Sequence, residues 1–530
     1  MTIRVRIKTL ESNAGDAVDL SESGVTCLVG GNNAGKSRTL TDLASRMRTG
    51  AAPMVVLRGL QVDKAEQISL EEAHAFLAET AVPMPGSLAY TPMGGGIQIA
   101  DDGFRAHFGI HPNALEAASE FFLTHWRAGS LSRFASESLG HVGVGTPIGN
   151  PLHLVFRDGG LEQTLSELAY EVFGEHLTLD RVNMDVRLRV GKVDAEVPLF
   201  SNPTAEYAAA VAALPSLDEQ GDGVKSFLGL ALAIVTGRSQ MVLIDEPETF
   251  LHPGQARALG RWLGIQAKMR DIQVIVSTHS RDFVLGLLDG GSRSDVRIIR
   301  IVRNGNINRF HELPPSEIAA TWADPVLRYS NVLQGLFHRR VAICESDADC
   351  RFYGAVLDEL AVETNRRSQA DDILLVPSGG KDRIAALAKS MLRLGVETHA
   401  FGDFDVLNRK ERISGIVESV GGSWTDEMNA DFVAFARRVQ EGNLWEDLKK
   451  QGMSAVPHGE PYSACERLLK ALDAIGVHIV PGGEMESFDR SIGAKGSAWV
   501  SAALEKGLHK SSQGARDYVE NILTPNGLAG

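Results

Sequence analysis

The sequence predicts an α/β protein with a parallel sheet in each half, and three observations carry that expectation. Short apolar runs recur along the chain: the segment Val25 to Val29, MVLID, VIVST, RRVAIC, DDILLV, VETHAF and GVHIV all have the length and composition of buried strands. Stretches with helical apolar spacing, such as KDRIAALAKSMLRLG, fall between them, as crossover connections do. Most of the runs also end in a glycine turn or in acids, and ligands gather at the carboxyl ends of strands in such sheets.

At 530 residues the chain is too long for one core, and two or three domains are expected. A hydrophobic share of 44% beside 23% charged residues belongs to a globular chain, and no stretch reaches the roughly 18 apolar residues of a membrane helix. The start, MTIRVRIKTL, alternates Ile3, Val5 and Ile7 with basic residues, which is a strand period without a signal peptide's apolar block. A cytoplasmic location is therefore expected, with no membrane partner. Cys27, Cys344, Cys350 and Cys465 form neither a CxxC pair nor a disulfide framework. A net charge of -14 argues against coating nucleic acid by bulk electrostatics, while a local groove or a metal-bridged phosphate contact stays compatible with it.

After the strand Val25 to Val29 comes GGNNAGKS, in which Gly30, Gly35, Lys36 and Ser37 have the P-loop spacing and Asn32 lies in the loop itself. Glycines let backbone N–H groups curl around phosphates, a helix opening at Lys36 offers its positive end, and Ser37 can hold Mg2+. A glycine turn of no consequence is the plainer reading, but strand, loop and helix stand in the order the motif requires. The run MVLIDEPETF ends in Asp245 and Glu246: one carboxylate can orient the Mg2+, the next can polarise the attacking water. An acidic helix cap before Pro247 is the bland alternative. Upstream lies QGDGVKSFLGLALAIV, and downstream VIVSTHSRDF places His279 after a third strand.

That order resembles the ABC-type ATPase arrangement of Walker A, signature, Walker B, D-loop and switch histidine. The resemblance implies ATP as the nucleotide, a catalytic pair Glu246 and His279, and a dimer of heads in which Gly221, Gly223 and Ser226 complete the partner's site. The signature GDGVKS and the D-loop region TFLHP resemble the soluble branch that includes repair ATPases and OLD (overcoming lysogenization defect) nucleases. Gln61, after MVVLRGL, is the candidate for the Q-loop. An ABC-type domain is expected over 1–330, with an insertion at roughly 60–205. In that insertion NALEAASEFFLTHWRAG reads as a helix, LDRVNMDVRLRVGKVDAEVPLF as a hairpin turning at Gly191, Gly94 to Gly96 as a turn, and His141, Phe121 and Phe122 as core or surface.

The second half places acids after strands: Glu345, Asp347 and Asp349 in CESDADC, Asp403 and Asp405 in GDFDV, Glu484 and Glu486 in GGEMES. Either such a run is a solvated turn or a cation sits there, because gathered carboxylates repel. Oxygen ligands without histidine favour Mg2+ or Mn2+ over zinc. The expected ligands are Glu345, Asp349, Asp403, Asp405 and Glu486. The spacing resembles the Toprim domain of topoisomerases, primases and OLD nucleases, with Ser346 where that motif has glycine. By that resemblance Glu345 is the catalytic glutamate, as base or as ligand, and a lysine assists. Lys495 in SIGAKGS is one candidate and Lys381 in PSGGKDR the other. A Toprim-like domain is expected over 331–530, with a helical insertion at roughly 425–470.

The order of ATPase head and Toprim domain resembles the OLD family over nearly the whole chain. It implies an ATP-regulated, metal-dependent DNA endonuclease, with many of its relatives serving in phage defence, and a homodimer or larger homo-oligomer. Clusters at His338 to Arg340, Arg366 and Arg367, and Arg409 to Arg412 are expected to meet DNA phosphates beside the metal edge. The contrasting expectation is an ATPase sensor or scaffold whose second half recruits a defence partner protein and cuts nothing.

Overall fold

The computed structural model describes residues 3–523 apart from 94, 128–129, 131–137, 144–146, 196–203, 291–294, 314–315 and 317–330. Contacts divide the chain into two compact units, Met1–Ser316 and Glu317–Gly530.

The first unit is built on a six-stranded sheet in the order Ile307–Leu313, Val296–Asn304, Gly24–Val29, Gln273–Ser277, Met241–Asp245, Leu123–Trp126. All neighbouring strands run parallel except the Ile307–Leu313 edge, which is antiparallel to Val296–Asn304. Gly24–Val29 and Gln273–Ser277 are buried at every position, as strands covered on both faces must be. Leu40, Leu43 and Met47 of the helix Lys36–Arg48 share one apolar core with Leu28, Leu243 and Ile275 of the sheet. The same core takes in Ile7 and Leu10 from a three-stranded antiparallel sheet of Ala17–Asp19, Arg6–Ser12 and Leu57–Asp63. Each such leucine taken fully out of water contributes about 2 kcal/mol, so this core fixes the helix that follows the glycine loop.

The stretch expected as an insertion, roughly 60–205, is in part integral to the unit. Leu123–Trp126 hydrogen-bonds in parallel register to Met241 through Ile244 and forms the outer strand of the main sheet. NALEAASEFFLTHWRAG is therefore not one helix. Only a 3-10 turn at Glu116–Phe121 forms before the chain extends, because the edge of the sheet offers backbone partners to a β-prone Leu-Thr-His-Trp run. Phe121 and Phe122 are buried and His141 is exposed. The hairpin also differs from expectation: Asp185–Val190 pairs with Leu177–Asp180 upstream and with Leu139–Gly140, while part of the stretch after Gly191 lies outside the described residues. Gly94 lies outside them as well, and Gly95 closes a turn onto Pro92. Gln61 sits within the antiparallel sheet, opposite Thr9.

The second unit holds a four-stranded, fully parallel sheet in the order Ile373–Pro377, Arg340–Cys344, Glu397–Gly402, Val477–Ile479. The chain leaves Arg340–Cys344 to one side and returns on the other, so the order reverses between Arg340–Cys344 and Glu397–Gly402. Such a switch point opens a crevice beyond the strands' carboxyl ends. Phe352, Val356 and Leu360 of the helix Asp347–Glu363 pack with Trp499 and Phe401 to form the core beside it. Between Gly402 and Val477 come the helices Lys410–Ser419, Asp426–Glu441, Trp445–Gln451 and Glu460–Ala474.

Among the described residues no helix is long and apolar enough to cross a membrane.

Candidate functional site

In the first unit the loop after Gly24–Val29 leads into the helix Lys36–Arg48, whose N-cap is Gly35. Gly35 has φ 106, and a Cβ there would meet Val56 at 2.9 Å, so the turn requires glycine twice over. Asn308 steadies the loop, its Nδ2 donating to Ala34 O at 2.8 Å. Lys36 folds back over the loop and donates to Gly30 O at 2.9 Å and Gly31 O at 3.0 Å. It is 4% exposed, and burial draws its ammonium down to about 8 against the opposing pull of Glu246 and Asp245. A phosphate placed in the loop supplies the counter-charge that two carbonyls provide only in part.

Asp245 ends its strand with Oδ1 accepting from Ser37 Oγ at 2.8 Å and from Ser277 Oγ. Glu246 follows in a left-handed conformation, φ 50, and its Oε1 lies 3.0 Å from His279 Nε2. His279 Nδ1 is 3.3 Å from Lys36 Nζ, an obligate donor, so the imidazole accepts at Nδ1 and donates from Nε2 to Glu246. Burial, then Lys36, lowers the His279 pKa, in keeping with that neutral tautomer. Glu248, which the sequence reading passed over, positions this histidine. Its Oε1 accepts from Thr278 Oγ1 at 2.5 Å and from His279 N at 3.0 Å, and burial raises its pKa. Its place in DEPET, two residues beyond Glu246, was the available signal.

The residues assigned to a trans site divide. Gly221 caps the helix Asp222–Thr236 and is exposed, whereas Ser226 is 4% exposed within its own unit. Gly223 has a local reason to be glycine: a Cβ there would lie 2.5 Å from Phe250 O. Phe250 itself is left-handed, φ 72, and 63% exposed. His252, in the D-loop region, caps the helix Pro253–Met269 through a reciprocal box with Gln255.

In the second unit Glu345 and Asp403 follow adjacent strands and meet at the switch point, Asp403 N donating to Glu345 Oε1 at 3.2 Å. Burial, with Glu345, Asp349, Asp405 and Glu486 around it, pushes Asp403 up to about 9. Burial likewise pushes Glu345 up to about 7, with Asp405 and Asp349 adding to the rise. Acids from three separate segments of the chain thus act on Asp403 electrostatically. They are not, however, a ready coordination shell: among the described residues no three His, Cys, Asp or Glu side chains stand close enough to hold a metal ion.

The physical reason is that protein donors already occupy several of these oxygens. Asp349 Oδ2 accepts from Ser346 N at 2.8 Å and Ser346 Oγ at 2.9 Å, forming the capping box of Asp347–Glu363. Glu486 Oε1 accepts from Gly496 N at 2.7 Å. Asp405 Oδ2 accepts from Lys381 Nζ at 2.6 Å and has Lys449 Nζ at 3.6 Å, while its Oδ1 is buried without a partner. Asp347 pairs outward with Arg351 at 2.7 Å, the solvated half of the acidic run.

Of the two lysines considered, Lys381 reaches the acids and Lys495 does not join Asp405. Lys495 is 71% exposed and bonds Glu484 at 2.8 Å. Lys449, from the inserted helix Trp445–Gln451, was not anticipated. It is held there because that helix abuts the 481–483 turn so tightly that a Cβ on Gly483 would meet Lys449 O at 2.5 Å. The basic clusters also separate. Arg412 bonds Asp382 at 2.8 Å, next to Lys381. Arg340 instead begins its strand, and Arg339, Arg340 and Arg366 line a cavity with Asp372, which precedes another strand. His338 to Arg340 and Arg366 therefore belong to the end of the sheet opposite Glu345, about 16 Å away along a five-residue strand, and not beside the acids.

The strand order, the glycine loop gripping Lys36 and the acid-ended strand define an α/β P-loop ATPase domain. Residues 212–286 match the family described as "AAA domain, putative AbiEii toxin, Type IV TA system". The chain belongs to one family with the "Uncharacterized protein MJECL11" of Methanocaldococcus jannaschii, to which it is 32% identical over 87 residues, 16% of this chain and 76% of that protein. Among solved structures it is similar to the SMC head domain from Thermotoga maritima at 14% identity, over 59% of this chain and 99% of that one, with a TM-score of 0.30. It is also similar to MJ1267, an ATP-binding cassette of an ABC transporter, at 13% identity, over 62% and 98%, with a TM-score of 0.28. At such scores the fold rests on the chain's own strand order.

Proposed function

We propose that the chain binds and hydrolyses ATP at the loop of its first unit, and that its second unit is a Toprim-like, divalent-metal-dependent DNA endonuclease of the OLD type governed by that ATPase. The ATPase reading is supported by Lys36, Ser37, Asp245, Glu246 and His279 meeting at one strand edge. Lys36 receives the outer phosphates, the loop N–H groups cradle the remainder, and Glu246, oriented by His279, accepts the proton of an attacking water. Mg2+ would be held by Ser37 and Asp245 and would neutralise charge developing on the phosphates. Two heads meeting through the exposed start of Asp222–Thr236 would complete the nucleotide site as a homodimer.

The nuclease reading rests on one observation: Glu345 and Asp403 meet at the switch point, with Asp349 and Asp405 near enough to add to the rise that burial causes in both. Their all-oxygen donors and the partnerless Asp405 Oδ1 suit Mg2+ or Mn2+, which would activate a water and stabilise the leaving oxygen of a phosphodiester. Lys381 and Lys449 hold Asp405 in place and present positive charge to a DNA phosphate. The toxin description of the matched family suits an effector in defence or in a toxin–antitoxin pair. The second reading, a sensor or scaffold that cuts nothing, is favoured by the absence of a three-carboxylate shell among the described residues.

Plasmid incubated with the purified chain, Mg2+ or Mn2+, and with or without ATP decides between them. Cleavage that disappears in Glu345→Gln supports the nuclease. Intact plasmid under every nucleotide condition, with phosphate still released from ATP, supports the scaffold.

A further inference from the structure

The register of Leu123–Trp126, the outer strand of the first-unit sheet, fixes which of its residues stand on which face. Leu123 pairs with Met241 and His125 with Leu243. Leu123, Met241 and Leu243 belong to the core shared with Leu40, Leu43 and Met47 of the helix Lys36–Arg48. Side chains alternate along a strand, which puts His125, and Arg127 one step past the strand end, on the side of that helix, where Asp245 meets Ser37. Thr124 and Trp126 stand on the other side and line a cavity with Ala233 and Ile234 of the helix Asp222–Thr236.

Arg127 therefore follows the outer strand at the level where Asp245 ends the neighbouring one, about 4.8 Å to the side. Its backbone is pinned there, N donating to Ser130 Oγ at 3.2 Å and O accepting from the same hydroxyl at 2.7 Å. The side chain is exposed and forms no hydrogen bond or ion pair among the described residues. Arg127 and Asp245 act on the same imidazole: burial chiefly lowers the His125 pKa, Arg127 and Arg48 add to the fall, and Asp245 opposes it. Across the sheet the order is Gly24–Val29, Gln273–Ser277, Met241–Asp245, Leu123–Trp126. A phosphate chain that starts in the loop after the first strand and reaches Asp245 on the third has its outer end between Lys36 and Arg127. ATP brings more negative charge to this edge than one ammonium offsets, and the forked donors of a guanidinium match phosphate oxygens.

We infer that Arg127 is a further catalytic residue of the ATPase, its guanidinium binding the outermost phosphate of ATP from the side opposite Lys36. The inference rests on the ATPase reading of the first-unit loop. As the water oxygen bonds to phosphorus, its proton passes to Glu246 and the bond to ADP breaks. Arg127 stays on the phosphoryl oxygens throughout and offsets their charge. ADP lacks that phosphate and gives Arg127 nothing to hold.

The test is calorimetric titration of the full chain, with Mg2+ present, by ADP and by the β,γ-imido analogue of ATP, which keeps the outer phosphate and resists hydrolysis. ATP turnover is measured beside it as phosphate release. Arg127→Gln removes the charge, Arg127→Lys keeps it, and circular dichroism checks that both exposed substitutions leave the fold intact. Arg127→Gln is expected to bind the analogue about tenfold more weakly, to bind ADP as the parent does, and to turn ATP over about 100-fold more slowly, while Arg127→Lys recovers part of both losses. Equal weakening for ADP and the analogue, or parent-like binding and turnover in Arg127→Gln, would overturn the assignment and leave the ATPase reading standing. A parent chain that binds neither nucleotide would overturn both.

Discussion

Two strand edges in this chain carry carboxylates, and they solve the same electrostatic problem differently. At the first-unit edge Asp245 is met by two hydroxyls and Glu246 by an imidazole, with Lys36 alongside. At the second-unit edge Lys381 and Lys449 reach Asp405, whereas the one hydrogen bond to the Glu345 carboxylate among the described residues comes from the Asp403 backbone N–H. The first edge is therefore pre-organised, each of its acids already held by a neutral donor. The second gathers carboxyls whose pKa values burial and one another push up. Substitutions should weaken the first by removing a donor and relax the second by removing a buried carboxyl.

The largest effects are expected at the first edge. Lys36→Ala and Glu246→Gln should each lower ATP turnover by about 100-fold or more, measured as phosphate release, with the circular dichroism spectrum unchanged. Normal turnover in both would remove the assignment of that edge. At the second edge Asp403→Ala should abolish metal-dependent plasmid cleavage, about 100-fold or more, and leave ATP turnover as it was. A loss of both activities would show that the edges do not act separately.

A pH effect of about 3 kcal/mol belongs to the strand beneath the second edge. His399 is buried, and burial chiefly holds its pKa down to about 4, with Glu397, His478 and Arg340 as its charged neighbours and Asp473 beyond His478. The unfolded imidazole takes up a proton near pH 6.5 and the folded one does not. Stability should therefore fall as pH drops from about 6.5 to about 4, by roughly 3 kcal/mol at most for this residue. Urea unfolding across that range measures it, and His399→Phe should flatten the slope. The smallest effect sharpens the comparison most. Asp403→Asn should stabilise the metal-free chain by about 1–2 kcal/mol, whereas Asp245→Asn should not. Mg2+ should then raise the melting temperature of the parent more than that of Asp403→Asn. Destabilisation by Asp403→Asn would mean that the second edge is already neutralised.

What could be read from the sequence was whatever the chain makes locally. GGNNAGKS follows directly on a strand and runs from loop to helix start within eight positions, so its geometry was contained in its order. The strand-end acids were legible for the same reason, although not the donors that occupy them: Ser346 at Asp349, Gly496 at Glu486 and Lys449 at Asp405. The position of Arg339 and Arg340 was legible and overlooked, since residues before a strand lie at the end opposite those after it. Leu123–Trp126 was not legible. Its extension depends on Met241–Ile244, a partner far along the chain that no local pattern reveals. Glu248 stood in plain view but had no assigned task until Thr278 and His279 folded onto it.

The reversal of strand order in the second unit also governs when the acids can come together. Glu345 and Asp403 are 58 residues apart, and the strand synthesised between them, Ile373–Pro377, docks on the far side of Arg340–Cys344. A nascent chain that has laid down only those first two strands holds a sheet without a carboxylate pair. Translation must proceed through Asp403 before the pair exists and past Val477–Ile479 before Glu486 arrives, so a product truncated earlier lacks the full cluster.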